Sequence, residues 1–420
     1  MSDNRVYLYD CTLRDGAQTQ GVDFNPSDKA LIAEELDNLG VDYIEGGWPG
    51  ANPTDDAFFG APPELKRARL TAFGMTRRAG RSTDNDPGLK ALLDSGTKAI
   101  CMVGKTWDFH VDVALEIEHS ENIAMIGDSI KHAKTKVDEV MFDAEHFFDG
   151  YKANPDFALK CLKAAYDGGA RWIVLCDTNG GTLPHEIEEI INAVTEHIPG
   201  SHLGIHCHDD TGNAVANSLT AVRAGVRQVQ GALNGLGERC GNANLITIIP
   251  SLMLKMGYET GISTDDLTQL AHVSRVMDEH LNRAPNRSAP YVGESAFAHK
   301  GGLHVSAVEK DPRSYEHVDP EVVGNQRQIV VSDQAGRSNI LARFREIGID
   351  VDPDDPKVMR LVEQVKEREF DGYSYDGAGA SFELMARRVM GKVPEYFHCN
   401  HFRVLDERRW NAKGELVIVS

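Results

Sequence analysis

One pattern constrains this chain before any other. Short β-rich runs recur about every thirty residues, with helical patterns between them. The runs are Val6–Cys11, Asp42–Gly46, Arg69–Gly74, Ala99–Val103, Glu139–Asp143, Trp172–Cys176, His202–Cys207 and Gln228–Leu233. Between them, Pro26–Leu39, Asp156–Asp167 and Ala214–Ala224 return apolar residues every three or four positions, the spacing of a helix with one buried face. Many of these stretches stop at glycine, as in Leu39-Gly40-Val41-Asp42 and Arg223-Ala224-Gly225. Glycine closes a helix at little cost because it adopts the left-handed backbone of the C-terminal cap. Eight strand–helix units predict an α/β fold, a (β/α)8 TIM barrel, which takes about 250 residues. A doubly wound sheet is the alternative, but its GxGxxG phosphate loop after the first strand is missing.

Beyond Gly261 the period is lost. Ser263–Leu281 reads as one long amphipathic helix, opened by Ser263 and Thr264 ahead of Asp265 and Asp266, residues that suit a helix N-terminus. A glycine- and histidine-rich segment, Glu294–Val305, follows a loop at Ala284-Pro285-Asn286-Arg287. Helical patterns resume over Asn339–Ile347, Lys357–Phe370 and about Ala378–Met390, while Tyr396–Leu405 and Glu415–Val419 alternate as strands do. The expected organisation is a barrel catalytic domain over 1–262, a lid subdomain over 263–330, a helical second subdomain over 331–395 and a β segment over 396–420.

Acidic residues number 64 against 44 basic ones, a net charge of -20. Phosphates are repelled by such a surface, so neither nucleic acid nor an anionic membrane is an expected partner. A small anion in a local basic pocket remains compatible with it. No apolar signal core follows the first residues, and no apolar run reaches membrane-spanning length. The seven cysteines are scattered with no CxxC pair, and Cys11, Cys101, Cys176 and Cys207 sit inside strand runs. Buried thiols in a reducing compartment, and hence a cytoplasmic protein, are expected.

In a βα barrel the active site lies at the C-terminal ends of the strands. The first strand ends in Arg14-Asp15, a pair that on its own reads as a surface ion pair. The seventh ends His206-Cys207-His208. Side chains two apart on a strand share a face, so both imidazoles can enter the barrel mouth. With Asp15 they make a set suited to a divalent ion. Asn242, in the glycine-rich stretch after the eighth strand, offers an oxygen from the opposite side. The fifth and sixth strands end near Glu145 and Thr178, a carboxylate and a small hydroxyl suited to acid–base work and carboxylate binding. Taken singly, each reads equally well as a helix cap or a satisfied polar group.

Taken together, these segments resemble a known family. Asp10-Cys11-Thr12-Leu13-Arg14-Asp15-Gly16-Ala17-Gln18 is similar to the opening signature of the α-isopropylmalate, homocitrate and citramalate synthases, in the barrel metallolyase superfamily that also holds HMG-CoA lyase. His206-Cys207-His208-Asp209-Asp210-Thr211-Gly212 and Gly235-Leu236-Gly237-Glu238-Arg239-Cys240-Gly241-Asn242-Ala243 resemble its second and third signatures. The stretches Tyr43–Thr54, Asp143–Tyr151 and Phe297–Ala307 resemble the longer citramalate synthase branch. One departure is Asp209, where the second signature more often has asparagine.

The resemblance implies roles. Asp15, His206, His208 and Asn242 match metal ligands for Zn, Mn, Mg or Co. Arg14 matches the group that stabilises the charge growing on a keto oxygen, with Gln18 as its partner near the substrate. Thr178 matches a residue that binds the substrate carboxylate, and Glu145 one that places or deprotonates the acetyl group of acetyl-CoA. His304 and Tyr315 match residues that complete the site from a lid, in a homodimer from the neighbouring subunit. The implied substrates are acetyl-CoA and pyruvate, on an isoleucine route. A larger 2-oxo acid, or cleavage of a hydroxyacyl-CoA, are the alternatives. Met75 and Met102, at strand ends, are expected to shrink the pocket. Relatives of this branch continue into a regulatory domain, so 396–420 is expected to be its remnant and isoleucine feedback to be absent.

Overall fold

A computed structural model describes residues 4–394, 396–404 and 407–419. Eight parallel strands close a barrel: β1 Tyr7–Asp10, β2 Tyr43–Gly47, β3 Arg69–Met75, β4 Ala99–Lys105, β5 Glu139–Glu145, β6 Trp172–Asp177, β7 Leu203–Cys207 and β8 Gln228–Gly231. Closure is made by β1 against β8, with Tyr7 opposite Gln228 and Asp10 opposite Gly231. Every predicted barrel strand is present. Five of them, β2 to β6, run one or two residues further than the apolar runs indicate. That extension carries Met75, Lys105 and Glu145 on strand to the mouth.

Local chemistry sets the helices that wrap the barrel. Asn25 accepts hydrogen bonds from the Ser27 and Asp28 backbone N–H groups, and Asp28 answers with its side chain on Asn25 N. This reciprocal cap starts helix Pro26–Leu39. Gly40 ends it at φ 100°, and a Cβ there would collide with the Arg67 guanidinium and the Gly261 carbonyl. Ile32, Ala33 and Leu36 face the strands and are buried, the stripe that the 3.6-residue period puts on one side.

By contacts the chain forms two units, Met1–Ala298 with Glu316–Arg327, and His299–Tyr315 with Gln328–Ser420. The first holds the barrel and its core. The second has its own core, in which Ile340 and Phe344 of helix Arg337–Glu346 meet Val358, Leu361 and Val365 of helix Pro356–Phe370 and Phe382 of helix Gly379–Val389.

Two expectations need correction. Ser263–Leu281 is not one helix but two, Thr264–Leu267 and Leu270–His280. The break is a tightened turn: Thr268 N and Oγ1 both bond the Asp265 carbonyl, and Gln269 N bonds that of Asp266. Gly324 packs so close to the Thr268 carbonyl that a Cβ would not fit. Over Tyr396–Val404 there is no strand, and Leu405 lies outside the described residues. A strand needs a partner for its backbone groups, and among the described residues this segment pairs with no strand; Phe397 and Phe402 are 81% and 83% exposed. The regular hairpin lies further on, Glu407–Trp410 antiparallel to Leu416–Val419.

All seven cysteines are free, with Cys11, Cys101, Cys161, Cys176 and Cys207 buried. Among the described residues no helix is long and apolar enough to cross a membrane.

Candidate active site

At the mouth of the barrel the strand ends surround a cavity of about 330 Å³. Arg14, Asp15, Gln18, Glu145, Thr178, His206 and His208 all line it. The two imidazoles and the carboxylate converge. Asp15 Oδ2 stands 3.6 Å from His206 Nε2 and 4.0 Å from His208 Nε2. One ligand atom from each of the three residues lies within 4.8 Å of the others. Asn242 is buried beside them, bonded through Nδ2 to the Leu236 carbonyl at 3.1 Å. A Cβ on Gly237 would collide with the Asn242 side chain, so the glycines of this loop let the backbone fold around that amide.

A divalent ion fits this set. Asp15 Oδ1, His208 Nδ1 and Asn242 Oδ1 are buried with no hydrogen-bond partner, which is costly unless something binds there. Burial alone would raise the Asp15 carboxyl, but Arg14 and then His206 and His208 hold it well below the ordinary carboxylate range. For His208, burial first and the neighbouring His206 second push it down to about 4. Above that pH it is a neutral imidazole with a lone pair to give. A second buried cluster, Glu45, Cys101 and Asp143, does not offer free donors. Glu45 already accepts from Tyr9 Oη at 2.8 Å and Arg14 Nε at 2.7 Å, and Asp143 accepts from Gln230.

Arg14 is fixed on three sides. Nε pairs with Glu45, Nη1 with Asp15 Oδ2 at 3.1 Å, and the guanidinium lies 3.9 Å over the Phe73 ring. Nη2 is left for a ligand. Gln18 lines the cavity with an exposed side chain but does not bond Arg14, whose side-chain partners are Glu45 and Asp15. Thr178 Oγ1 accepts from the His146 backbone N–H at 2.9 Å, which leaves its own proton to give. Glu145 is ion-paired with Lys105, its register partner on β4. Asp209 caps the next helix through the Ala214 N–H at 2.8 Å, so its departure from asparagine has a local structural use. The Asp210 carboxylate is clasped by Arg239, which also reaches the Thr178 carbonyl.

Met75 lines the cavity at 41% exposure, but Met102 does not line it and is fully buried. Strand alternation explains the difference: Cys101, Val103 and Lys105 of β4 face one way, and Met102 faces the other. His304 and Tyr315 belong to the second unit, where their rings stack at 4.1 Å. Sequence reasoning passed over Glu45, Phe73, Lys105 and Gln230. For Glu45 the available signal was a charged side chain in the middle of an otherwise apolar strand.

Comparison with known proteins agrees with this geometry. The HMGL-like family model matches residues 5–274, and the model described as homocitrate synthase post-HMGL domain-like matches residues 291–371. The HMG-CoA lyase of Pseudomonas aeruginosa has the same barrel fold, with a TM-score of 0.57, 19% identity and coverage of 67% of this chain and 95% of that one. The fold and the matched model together define an HMGL-like barrel enzyme. Among its relatives, the (R)-citramalate synthase of Aquifex aeolicus is 51% identical over 96% of this chain and 77% of that protein. A homocitrate synthase of Methanopyrus kandleri is more distant, 35% identical over 86% of this chain and 87% of that protein. The chain belongs to the (R)-citramalate synthase branch of the HMGL-like family.

Proposed function

We propose that the chain is an acyltransferase that condenses acetyl-CoA with pyruvate and hydrolyses the thioester formed, giving citramalate and CoA. The observation that carries this reading is the convergence of Arg14, Asp15, His206 and His208 on one small cavity, in a chain at 51% identity to an (R)-citramalate synthase. Asp15, His206, His208 and Asn242 would hold a divalent ion, Zn, Mn, Mg or Co, which supplies Lewis-acid polarisation of the 2-oxo acid carbonyl.

The chain's own groups do the rest. Arg14 Nη2, unbonded to the described residues, donates to the keto oxygen as negative charge grows there; Glu45, Asp15 and the Phe73 ring keep the guanidinium from turning away. The Thr178 hydroxyl donates to the pyruvate carboxylate. Glu145 takes the proton from the acetyl methyl group, and Lys105 holds that carboxylate in place. Phe73, Met75 and Val103 supply the apolar wall for the pyruvate methyl group. Next to this cavity, and sharing Trp48, Met75 and Lys105 with it, lies a second one of about 430 Å³. Its walls are largely apolar, as the thioester arm of acetyl-CoA requires. His304 and Tyr315 complete the site from the lid of the neighbouring subunit in a homodimer. The product feeds isoleucine synthesis in the cytoplasm.

A CoA-release assay over a panel of 2-oxo acids tests the assignment. Pyruvate is expected to give the fastest release. Release with 2-oxoisovalerate or 2-oxoglutarate but none with pyruvate overturns it. Chelation is expected to abolish the activity, and adding back one of the four ions to restore it. Full activity in the thoroughly chelated protein would contradict the metal assignment.

A further inference from the structure

Gln230 is fully buried in the barrel and has no part in the reaction just described. It stands on β8 in register with His206 on β7, so both side chains enter the barrel from neighbouring strands. The two ends of its amide have different partners. Nε2 donates to Asp143 Oδ1 at 3.1 Å, and Oε1 faces His206 Nδ1 at 2.8 Å.

An amide oxygen only accepts and an amide nitrogen only donates. With the donor end on a carboxylate oxygen, the end that meets His206 is an acceptor. Nδ1 of His206 must then carry the ring proton, and Nε2 keeps its lone pair. Nε2 is the nitrogen that faces Asp15 at 3.6 Å. Were the amide turned over, its NH2 group would oppose Nδ1. The proton would move to Nε2, and His206 would become a donor to Asp15 instead of a ligand beside it. Asp143 blocks that arrangement because it would face an amide oxygen. His208 has no such partner: its Nδ1 is buried and unbonded.

The geometry points to Gln230 as the positioning residue that commits His206 to metal binding through Nε2, with Asp143 setting the direction of the amide. The inference rests on the reading of Asp15, His206, His208 and Asn242 as a metal site. Groups that orient a ligating histidine through its other nitrogen are worth about 10–100-fold in metal affinity.

Titration of the metal-free chain with Co²⁺, followed by visible absorption, together with ¹H–¹⁵N spectra of the histidine rings, tests this without either substrate. In the parent chain the His206 signals are expected to show a proton on Nδ1. Gln230→Met keeps the length of the side chain and removes both bonds; it is expected to lose that signature and to bind Co²⁺ about 10–100-fold more weakly. Gln230→Glu, with its carboxyl protonated on the oxygen that faces Asp143, keeps both bonds and is expected to retain most of the affinity. Should the methionine variant fail to fold, Asp143→Asn keeps the packing, frees the amide to turn and is expected to give a mixture of His206 tautomers. An unchanged tautomer and affinity in Gln230→Met, or a single unchanged tautomer in Asp143→Asn, overturns the role of Gln230. A parent chain that binds no ion fails the metal reading instead, so the two failures are told apart.

Discussion

Arg14→Lys is expected to lower kcat/KM by about 10²–10³, the usual cost of losing a donor to a developing oxyanion. The substitution keeps the charge, so the size of the loss follows from geometry. Arg14 meets Glu45 through Nε, Asp15 through Nη1 and Phe73 through the face of the guanidinium, and still has Nη2 to offer. A lysine ammonium is a point charge on a flexible stem and has no planar fork to share among them. It satisfies Glu45 or the substrate, not both in the same geometry. Arg14→Gln goes further. Burial already pushes the Glu45 carboxyl up, and Arg14 is the main group that opposes this. Without it, Glu45 stands buried against Asp143, and breaking such a pair costs about 3–5 kcal/mol. Steady-state rates and thermal melts of the two variants check both statements. Arg14→Lys with parent-like kcat/KM would show that the second guanidinium nitrogen is idle.

Part of this architecture is legible in the sequence. The barrel is, because the strand, helix and glycine-stop signals repeat in eight successive units and point the same way each time. Arg14, Asp15, His206, His208, Glu145 and Thr178 were found because barrel closure brings strand ends together, and all of them line one cavity. Glu45, Lys105 and Gln230 were not, for a shared reason. Each is a polar residue on a strand, and alternation alone does not say whether its face looks into the barrel or toward the helices. Pairing decides that: Lys105 against Glu145, Gln230 against His206. Met102 shows the opposite error. It and Met75 were both expected at the pocket because they lie near strand ends, whereas the period of two turns Met102 away from the mouth. The split of 263–281 into two helices was not legible, because the turn at Thr268 packs against Gly324, more than fifty positions away in the chain.

Glu145→Gln is expected to lower kcat by about 10²–10³, within the range that a positioned general base contributes, and to leave the KM for pyruvate nearly unchanged. The glutamine keeps the shape of the side chain, removes its basicity and breaks the ion pair with Lys105. In the proposed function pyruvate is held by Arg14 and Thr178, so its binding does not pass through Glu145. The sharper readout is exchange of the acetyl methyl protons of acetyl-CoA with deuterium from solvent, measured by NMR beside an unreactive isostere of pyruvate. That exchange reports proton removal without condensation. It is expected to vanish in Glu145→Gln and to persist in Arg14→Lys, because the base is intact there and only the stabilisation of the keto oxygen is lost. Lys105→Met separates the base from its support. It leaves the Glu145 carboxylate in place but unpaired, and exchange is expected to slow by less than in Glu145→Gln. Exchange at the parent rate in Glu145→Gln would move the proton-accepting role to another group at the mouth, with Glu238, a further carboxylate of the cavity wall, next to be tested.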